Sequence, residues 1–79
     1  MDIKVLGMGC SRCNQLEKEV FNVLAEMDVA ADVQKIEDIK EIMAYKVMAM
    51  PALVINGKVK SAGKDLKPAE VKRFITEEL

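Results

Sequence analysis

Two cysteines, Cys10 and Cys13, stand three positions apart where a short apolar strand gives way to an amphipathic helix, and the 79 residues contain no others. That junction constrains the chain more than any other stretch. Ile3-Lys4-Val5-Leu6 reads as a short buried strand. Gly7 and Gly9 loosen the backbone for a turn. Leu16, Val20, Val23, Leu24 and Met27 then recur at helical spacing. The cysteine pair therefore falls at a strand-to-helix handover, where two sulfurs can meet across one helical turn. Such a pair can close a disulfide or hold one soft metal ion.

The rest of the chain supplies the other elements. Asp28 follows the first helix, and Ala31-Asp32-Val33-Gln34-Lys35-Ile36 alternates as a second strand. Asp38-Ile39-Lys40-Glu41 reads as a capping box, with Asp38 as N-cap and Glu41 at the third helical position. The short helix behind it uses Ile39, Ile42 and Met43 as its apolar face. Met50-Pro51 interrupts the chain, and Ala52-Leu53-Val54-Ile55 is a clear strand. Asn56-Gly57 favours a type I′ hairpin turn. Lys58-Val59-Lys60-Ser61-Ala62 is the return strand, its two lysines on the open face, where they discourage edge-to-edge pairing. Lys67-Pro68 opens the last helix, with Val71, Phe74 and Ile75 as its stripe. The order β-α-β-α-β-β-α is that of an α/β domain. Its first two strands should be parallel with a right-handed crossover, and its last two should form an antiparallel hairpin. A four-stranded mixed sheet flanked by helices on both faces follows. Residues 1–79 read as a single domain without repeat or linker.

Composition excludes several functions. Twelve Lys and Arg against thirteen Asp and Glu leave a formal charge of −1. No basic excess points to nucleic acid, and one Tyr and two Phe offer little for base stacking. With no His, an imidazole base, a Cys–His nucleophilic pair and a mixed Cys/His zinc site are all excluded. No charged leader or long apolar run appears, so the expected setting is cytoplasmic, without membrane association. There a close cysteine pair is more often redox-active or metal-binding than a structural staple. No phosphate loop or dinucleotide fingerprint is present, so no cofactor is expected. A small domain without an interface motif is expected to be a monomer.

A thiolate at a helix N-terminus is stabilised by unsatisfied backbone N–H groups and the helix dipole. Cys10 has that position, and Arg12 adds a cation. Both lower its pKa below the free-thiol value of ~8.5. Cys10 is then the attacking thiolate, and Cys13, one turn into the helix and less exposed, resolves the mixed disulfide.

Strand, Cys-x-x-Cys, helix, and then Met50-Pro51-Ala52-Leu53-Val54-Ile55-Asn56-Gly57-Lys58 resemble the thioredoxin fold. The likeness is to the small thioredoxin/glutaredoxin-like redox-active disulfide proteins of prokaryotes and spans nearly the whole chain. It implies a minimal thioredoxin fold and a thiol–disulfide oxidoreductase or dithiol electron carrier acting on protein or small disulfides. It implies partners of two kinds, disulfide-containing substrates and an upstream reductase. It also implies a cis Met50–Pro51 bond facing Cys10, with substrate contacts from Ser11, Arg12, Met50 and Pro51. The chain departs from the family's better-known members in three places. Gly9 stands where an aromatic residue often precedes the first Cys, Ser11-Arg12 is the intervening dipeptide, and the strand before the motif offers Lys4 rather than a carboxylate.

Other readings stand beside this one. Gly7-Met8-Gly9-Cys10-Ser11-Arg12-Cys13 also resembles the metal loop of small copper-chaperone domains, but those run β-α-β-β-α-β and end in a strand. A redox-sensing interaction module without turnover is a further alternative. Met8, Met48 and Met50 flank the site and read first as gap fillers, and second as soft ligands or an adaptable docking surface. Gly63-Lys64-Asp65 faintly resembles a glutathione-gripping segment and reads more simply as a turn. Glu77 and Glu78 read as a solvated helix face that slightly opposes the helix dipole, and Tyr45 as half-buried packing.

Overall fold

β1 (Asp2–Leu6) buries Ile3 and Val5 toward one face of a sheet and Leu6 toward the other. Both faces can be apolar because β1 is an inner strand. The sheet order is β2-β1-β3-β4, with β2 (Asp32–Ile36), β3 (Ala52–Ile55) and β4 (Lys58–Ala62). The computed structural model describes residues 1–7 and 11–79. β2 runs parallel to β1, from Asp2 opposite Asp32 to Leu6 opposite Ile36. β3 runs antiparallel to β1, pairing Ile3 with Ile55 and Leu6 with Ala52. All four residues of β3 are buried, as a continuous apolar run in an inner strand requires.

Among the described residues, three helices cover the sheet. α1 (Ser11–Met27) and α3 (Pro68–Glu77) share one face. There Leu16, Val20, Val23 and Leu24 of α1, with Val71 and Ile75 of α3, close over Ile3, Val5, Leu53 and Ile55. α2 (Ile39–Ala44) covers the other face through Ile42, packed with Leu6, Ala52 and Val54. The expected mixed sheet with helices on both faces is what forms. Of the apolar face expected for α2, only Ile42 is buried; Ile39 and Met43 are exposed. A helix of six residues has room to seat only one large side chain on the sheet.

Helix ends explain several polar residues. Asp28 has φ of 55°. Its N–H donates to Ala25 O at 3.3 Å, and that of Val29 donates to Leu24 O at 3.0 Å. This is the paired hydrogen bonding of a Schellman stop, with aspartate in glycine's usual left-handed place. Lys46, φ 60°, ends α2 in the same conformation and donates to Met43 O at 2.9 Å. At the start of α2, Asp38 accepts from the Lys40 N–H at 3.0 Å, so the expected cap is present. The returning bond from Glu41 is not made among the described residues. A reaching-back carboxylate occurs instead at α3, where Glu70 accepts from the Lys67 N–H at 3.2 Å.

The Asn56-Gly57 turn has φ of 52° and 79°, both positive as a type I′ turn demands. Asn56 also pins the hairpin to the start of β1. Asp2 N–H donates to Asn56 Oδ1 at 3.0 Å, and Asn56 N–H donates to Asp2 O at 2.7 Å. On the return strand, Leu53 faces Ser61 while Val54 faces Val59. Lys60 is thus the extra residue of a β-bulge.

That bulge corrects the expectation of a solvated Glu78, whereas Glu77, its side chain 50% exposed, is solvated as expected. The Lys60 side chain, only 13% exposed, bonds Glu78, 9% exposed, at 2.7 Å and Glu77 at 3.3 Å. Lys58 reaches Glu78 at 3.4 Å. Two cations from β4 compensate the acidic C-terminal end of α3.

Two predictions follow from this packing. Leu53→Ala should cost about 2–5 kcal/mol in urea denaturation, whereas Met48→Ala, at a side chain 98% exposed, should stay within ~0.5 kcal/mol. Equal effects would refute the core assignment. The ion pair sets a pH window. The Lys60 hydrogen bond holds the Glu78 carboxyl below its ordinary 4.5, so its contribution is present above that value and lost as pH falls through the folded pKa. The Glu78 hydrogen bond raises the Lys60 pKa above 10.5, so that contribution is present below 10.5 and lost only in stronger base. Glu78→Gln should therefore lower the unfolding midpoint near neutrality, and the gap should close in acid. A gap that persists unchanged at pH 2–3 would contradict the pairing.

Candidate functional site

Cys13 is the third residue of α1 and is wholly buried. It shares the inward stripe with Leu16 and Val20, three and seven positions on, which is why a residue so close to the helix start faces the sheet. It is disulfide-bonded. Its Sγ occupies the space where a side chain on Gly7 would begin, and its Cβ lies 3.0 Å from that point. Gly7 also donates to Ile36 O at 3.0 Å. Gly7 is therefore needed for room rather than for turn flexibility, a refinement of the sequence reading. Met8, Gly9 and Cys10 lie outside the described residues, and with them the expected attacking cysteine.

Ser11 and Arg12 are exposed on the first turn of α1. Arg12 turns toward the loop after β4. Its Nε donates to Asp65 Oδ1 at 2.6 Å and its Nη2 to Gly63 O at 3.2 Å. Gly63 in turn donates its N–H to Pro51 O at 2.8 Å. The backbone of Gly63 thus joins the start of α1 to the segment ahead of β3. Its φ of 76° and its closeness to Ala49, whose Cβ is 2.6 Å from where a Gly63 Cβ would stand, leave glycine as the fitting residue.

Pro51 is buried and follows a cis peptide bond from Met50. A groove of about 230 Å³ between α1 and the β4–α3 loop is lined by Arg12, Leu16, Pro51, Asp65 and Leu66 among others. Of the site residues expected from sequence, Arg12 and Pro51 are thus brought to one groove. Met50 is partly exposed, and Met48 stands 98% in solvent. The expectation that these methionines fill gaps is corrected for Met48, which is too exposed to fill one.

Electrostatics divide along the sheet. Glu19, which also lines the groove, has its pKa raised, first by burial and then by the Asp65 carboxylate. Lys4 points to the face that α2 covers and donates to the Tyr45 hydroxyl at 3.1 Å. That bond, then the charge of Asp2, raises its pKa and keeps it cationic. Tyr45 is half-buried against the α2 cluster, as expected. Among the described residues, no three Cys, Asp or Glu side chains converge as a metal site would require, and no helix is long and apolar enough to cross a membrane.

Sequence reasoning missed the Arg12–Asp65 pair and the pinning role of Gly63. The available signal was Gly63-Lys64-Asp65 itself, a glycine and a carboxylate just past the hairpin, which read as an ordinary turn. The close contact at Gly7 carries a prediction. Gly7→Ala should destabilise the domain by roughly 1–3 kcal/mol through overpacking against Cys13, measured by urea denaturation. A variant as stable as the parent would show that the contact has slack.

The comparisons agree with this geometry. The thioredoxin domain family matches residues 1–76. The chain is 29% identical over 76 residues to a thioredoxin of Methanothermobacter thermautotrophicus, covering 96% of this chain and 99% of that one. Two thioredoxins of Methanocaldococcus jannaschii are also similar. One is 37% identical over 65 residues, covering 78% of this chain and 76% of that one. The other is 29% identical over 70 residues, covering 89% and 80%. With strand order, helix placement and family match in agreement, the chain belongs to the thioredoxin domain family and is of the thiol–disulfide oxidoreductase type.

Proposed function

We propose that this chain is a dithiol carrier in which Cys10 attacks and Cys13 resolves. The observation that carries the reading is the placement of Cys13: a disulfide-bonded sulfur, buried in the first turn of a helix behind Gly7, in a chain that matches the thioredoxin domain over nearly its full length. A buried thiol is shielded from bulky partners, which suits it to the second step rather than the first. In that scheme the Cys10 thiolate attacks one sulfur of a partner's disulfide. A mixed disulfide forms and the partner's other sulfur leaves as a thiolate. The Cys13 thiolate then attacks the Cys10 sulfur and releases the partner's remaining thiolate. Two electrons pass to the partner, two protons follow to its thiolates, and the chain is left oxidised. A dithiol reductase must return the electron pair.

Ser11, Arg12, Met50 and Pro51 are proposed to contact the substrate. Exposed Met48 and Met50 supply adaptable apolar surface, and the groove beside Pro51 and Arg12 supplies a recess. The proposed setting is the cytoplasm, and the proposed state a monomer.

A disulfide-reduction assay with an excess dithiol reductant tests the scheme. Cys10→Ser should fall to the uncatalysed background. Cys13→Ser should lose turnover and, when incubated in reduced form with substrate disulfide and no added dithiol, should accumulate a mixed disulfide visible as a covalent adduct by mass. A protein that purifies with stoichiometric copper and leaves disulfides untouched would overturn it.

A further inference from the structure

The face of the sheet under α2 carries a charged recess that thiol exchange does not use. α2 has six residues and buries only Ile42, so part of that face stays open. The opening has a volume of about 330 Å³ and is lined by Lys4, Gln34 and Ile36 of the sheet and by Glu41, Ala44 and Tyr45. Lys4 stands opposite Gln34 in the β1–β2 register, and Ile36 is two positions further on, so all three side chains rise from one face.

Lys4 is a cation on an inner strand whose neighbours Ile3, Val5 and Leu6 are fully buried, where a charge needs polar company. Its Nζ donates to the Tyr45 hydroxyl at 3.1 Å and lies 3.8 Å from the Asp2 carboxylate. An ammonium has three N–H donors, so donor capacity is left over. The Tyr45 oxygen accepts from Lys4, which leaves its own proton for another acceptor. Two donors 3.1 Å apart therefore stand in the same recess. Glu41 makes no ion pair with Lys4 among the described residues, yet it lines the same recess. The Tyr45 hydrogen bond chiefly, and the Glu41 charge last, hold the Lys4 pKa above its ordinary value. These charges select among ligands. A simple anion would be drawn to Lys4 and repelled by Glu41 and Asp2, and a simple cation would meet the reverse. A molecule carrying both charges escapes both penalties. Ile36 and Ala44 add an apolar wall. The volume is at the small end of the ~300–1,000 Å³ of ligand pockets, which suits one amino acid rather than a peptide.

We propose that this recess binds a zwitterionic α-amino acid with an aliphatic side chain, its carboxylate on Lys4 and the Tyr45 hydroxyl, its ammonium on Glu41, and its side chain against Ile36 and Ala44. The site is on the α2 face, whereas Cys13 belongs to α1 on the other, so its test is independent of the exchange reading.

The probe is L-leucine, titrated to about 20 mM into isotope-labelled protein and followed by amide NMR shifts, since millimolar affinity is expected of so few atoms. The amide signals of Gln34, Ile36, Ala44 and Tyr45 should shift saturably. Isopentylamine, which lacks the carboxylate, and isocaproate, which lacks the ammonium, should each bind at least about fivefold more weakly. Lys4→Gln and Glu41→Gln should each weaken leucine by a similar factor, and Lys4→Arg, which keeps the cation, should retain most of the affinity. The proposal is overturned by the absence of a saturable shift, by amine or acid alone binding as well as leucine, or by parental affinity in both Gln variants. If Lys4 and Tyr45 only brace α2, Lys4→Gln will lower the thermal midpoint while leucine shifts nothing in the parent, which also overturns it. The comparison of the three probes needs only the parent protein, so it decides the proposal even where a variant fails to fold.

Discussion

The structure depends on burying β1 and β3 on both faces. Ile3, Val5, Leu53 and Ile55 point one way, and Leu6, Ala52 and Val54 the other. A sheet with two apolar faces must be covered twice, so α1 and α3 are needed on one side and α2 on the other. The same demand places Cys13. α1 can reach its seat only by starting at the end of β1, and that start carries Cys13. Because the seat is deep, the sulfur takes the space a side chain at Gly7 would have used. The burial of Cys13 is thus a by-product of closing the larger cluster.

What could be read from sequence was whatever rests on local periodicity or on a fixed turn chemistry. The α1 stripe of Leu16, Val20, Val23 and Leu24, the run Ala52–Ile55 and the positive-φ pair Asn56-Gly57 each specify their own conformation within a few residues, and each stands as read. The readings that failed needed tertiary knowledge. Whether Ile39 and Met43 are covered depends on the short reach of α2 across the sheet, not on their spacing. Whether Glu78 is solvated depends on a bulge at Lys60 that brings a cation to it from another element. The Arg12–Asp65 pair spans 53 positions, and nothing in a single sequence couples residues so far apart. Non-glycine helix stops show the converse. Asp28 and Lys46 take the left-handed conformation without the residue that usually signals it.

Several charged side chains are paired across elements. Lys60 with Glu78, Arg12 with Asp65 and Lys4 with Tyr45 each join an element to one distant in sequence. The chain's near-neutral total therefore conceals an arrangement in which polar contacts fasten loops and ends, while apolar burial holds the layers. Gly63 is the point where the two meet. It carries a tight contact on one side and a hydrogen bond at each of its main-chain polar groups, its N–H donating to Pro51 O and its carbonyl accepting from the Arg12 guanidinium at the start of α1.

The Asn56–Asp2 clasp has a practical consequence. β1 and β4 run toward Gly7 and Gly63, and β3 runs away from Pro51, so the Asn56-Gly57 tip sits at the far end of the sheet from Cys13, clasped there by two hydrogen bonds to Asp2. A fluorophore, surface linker or inserted peptide carried at the Lys58 end of the hairpin would stand a full strand length from the Cys13 sulfur.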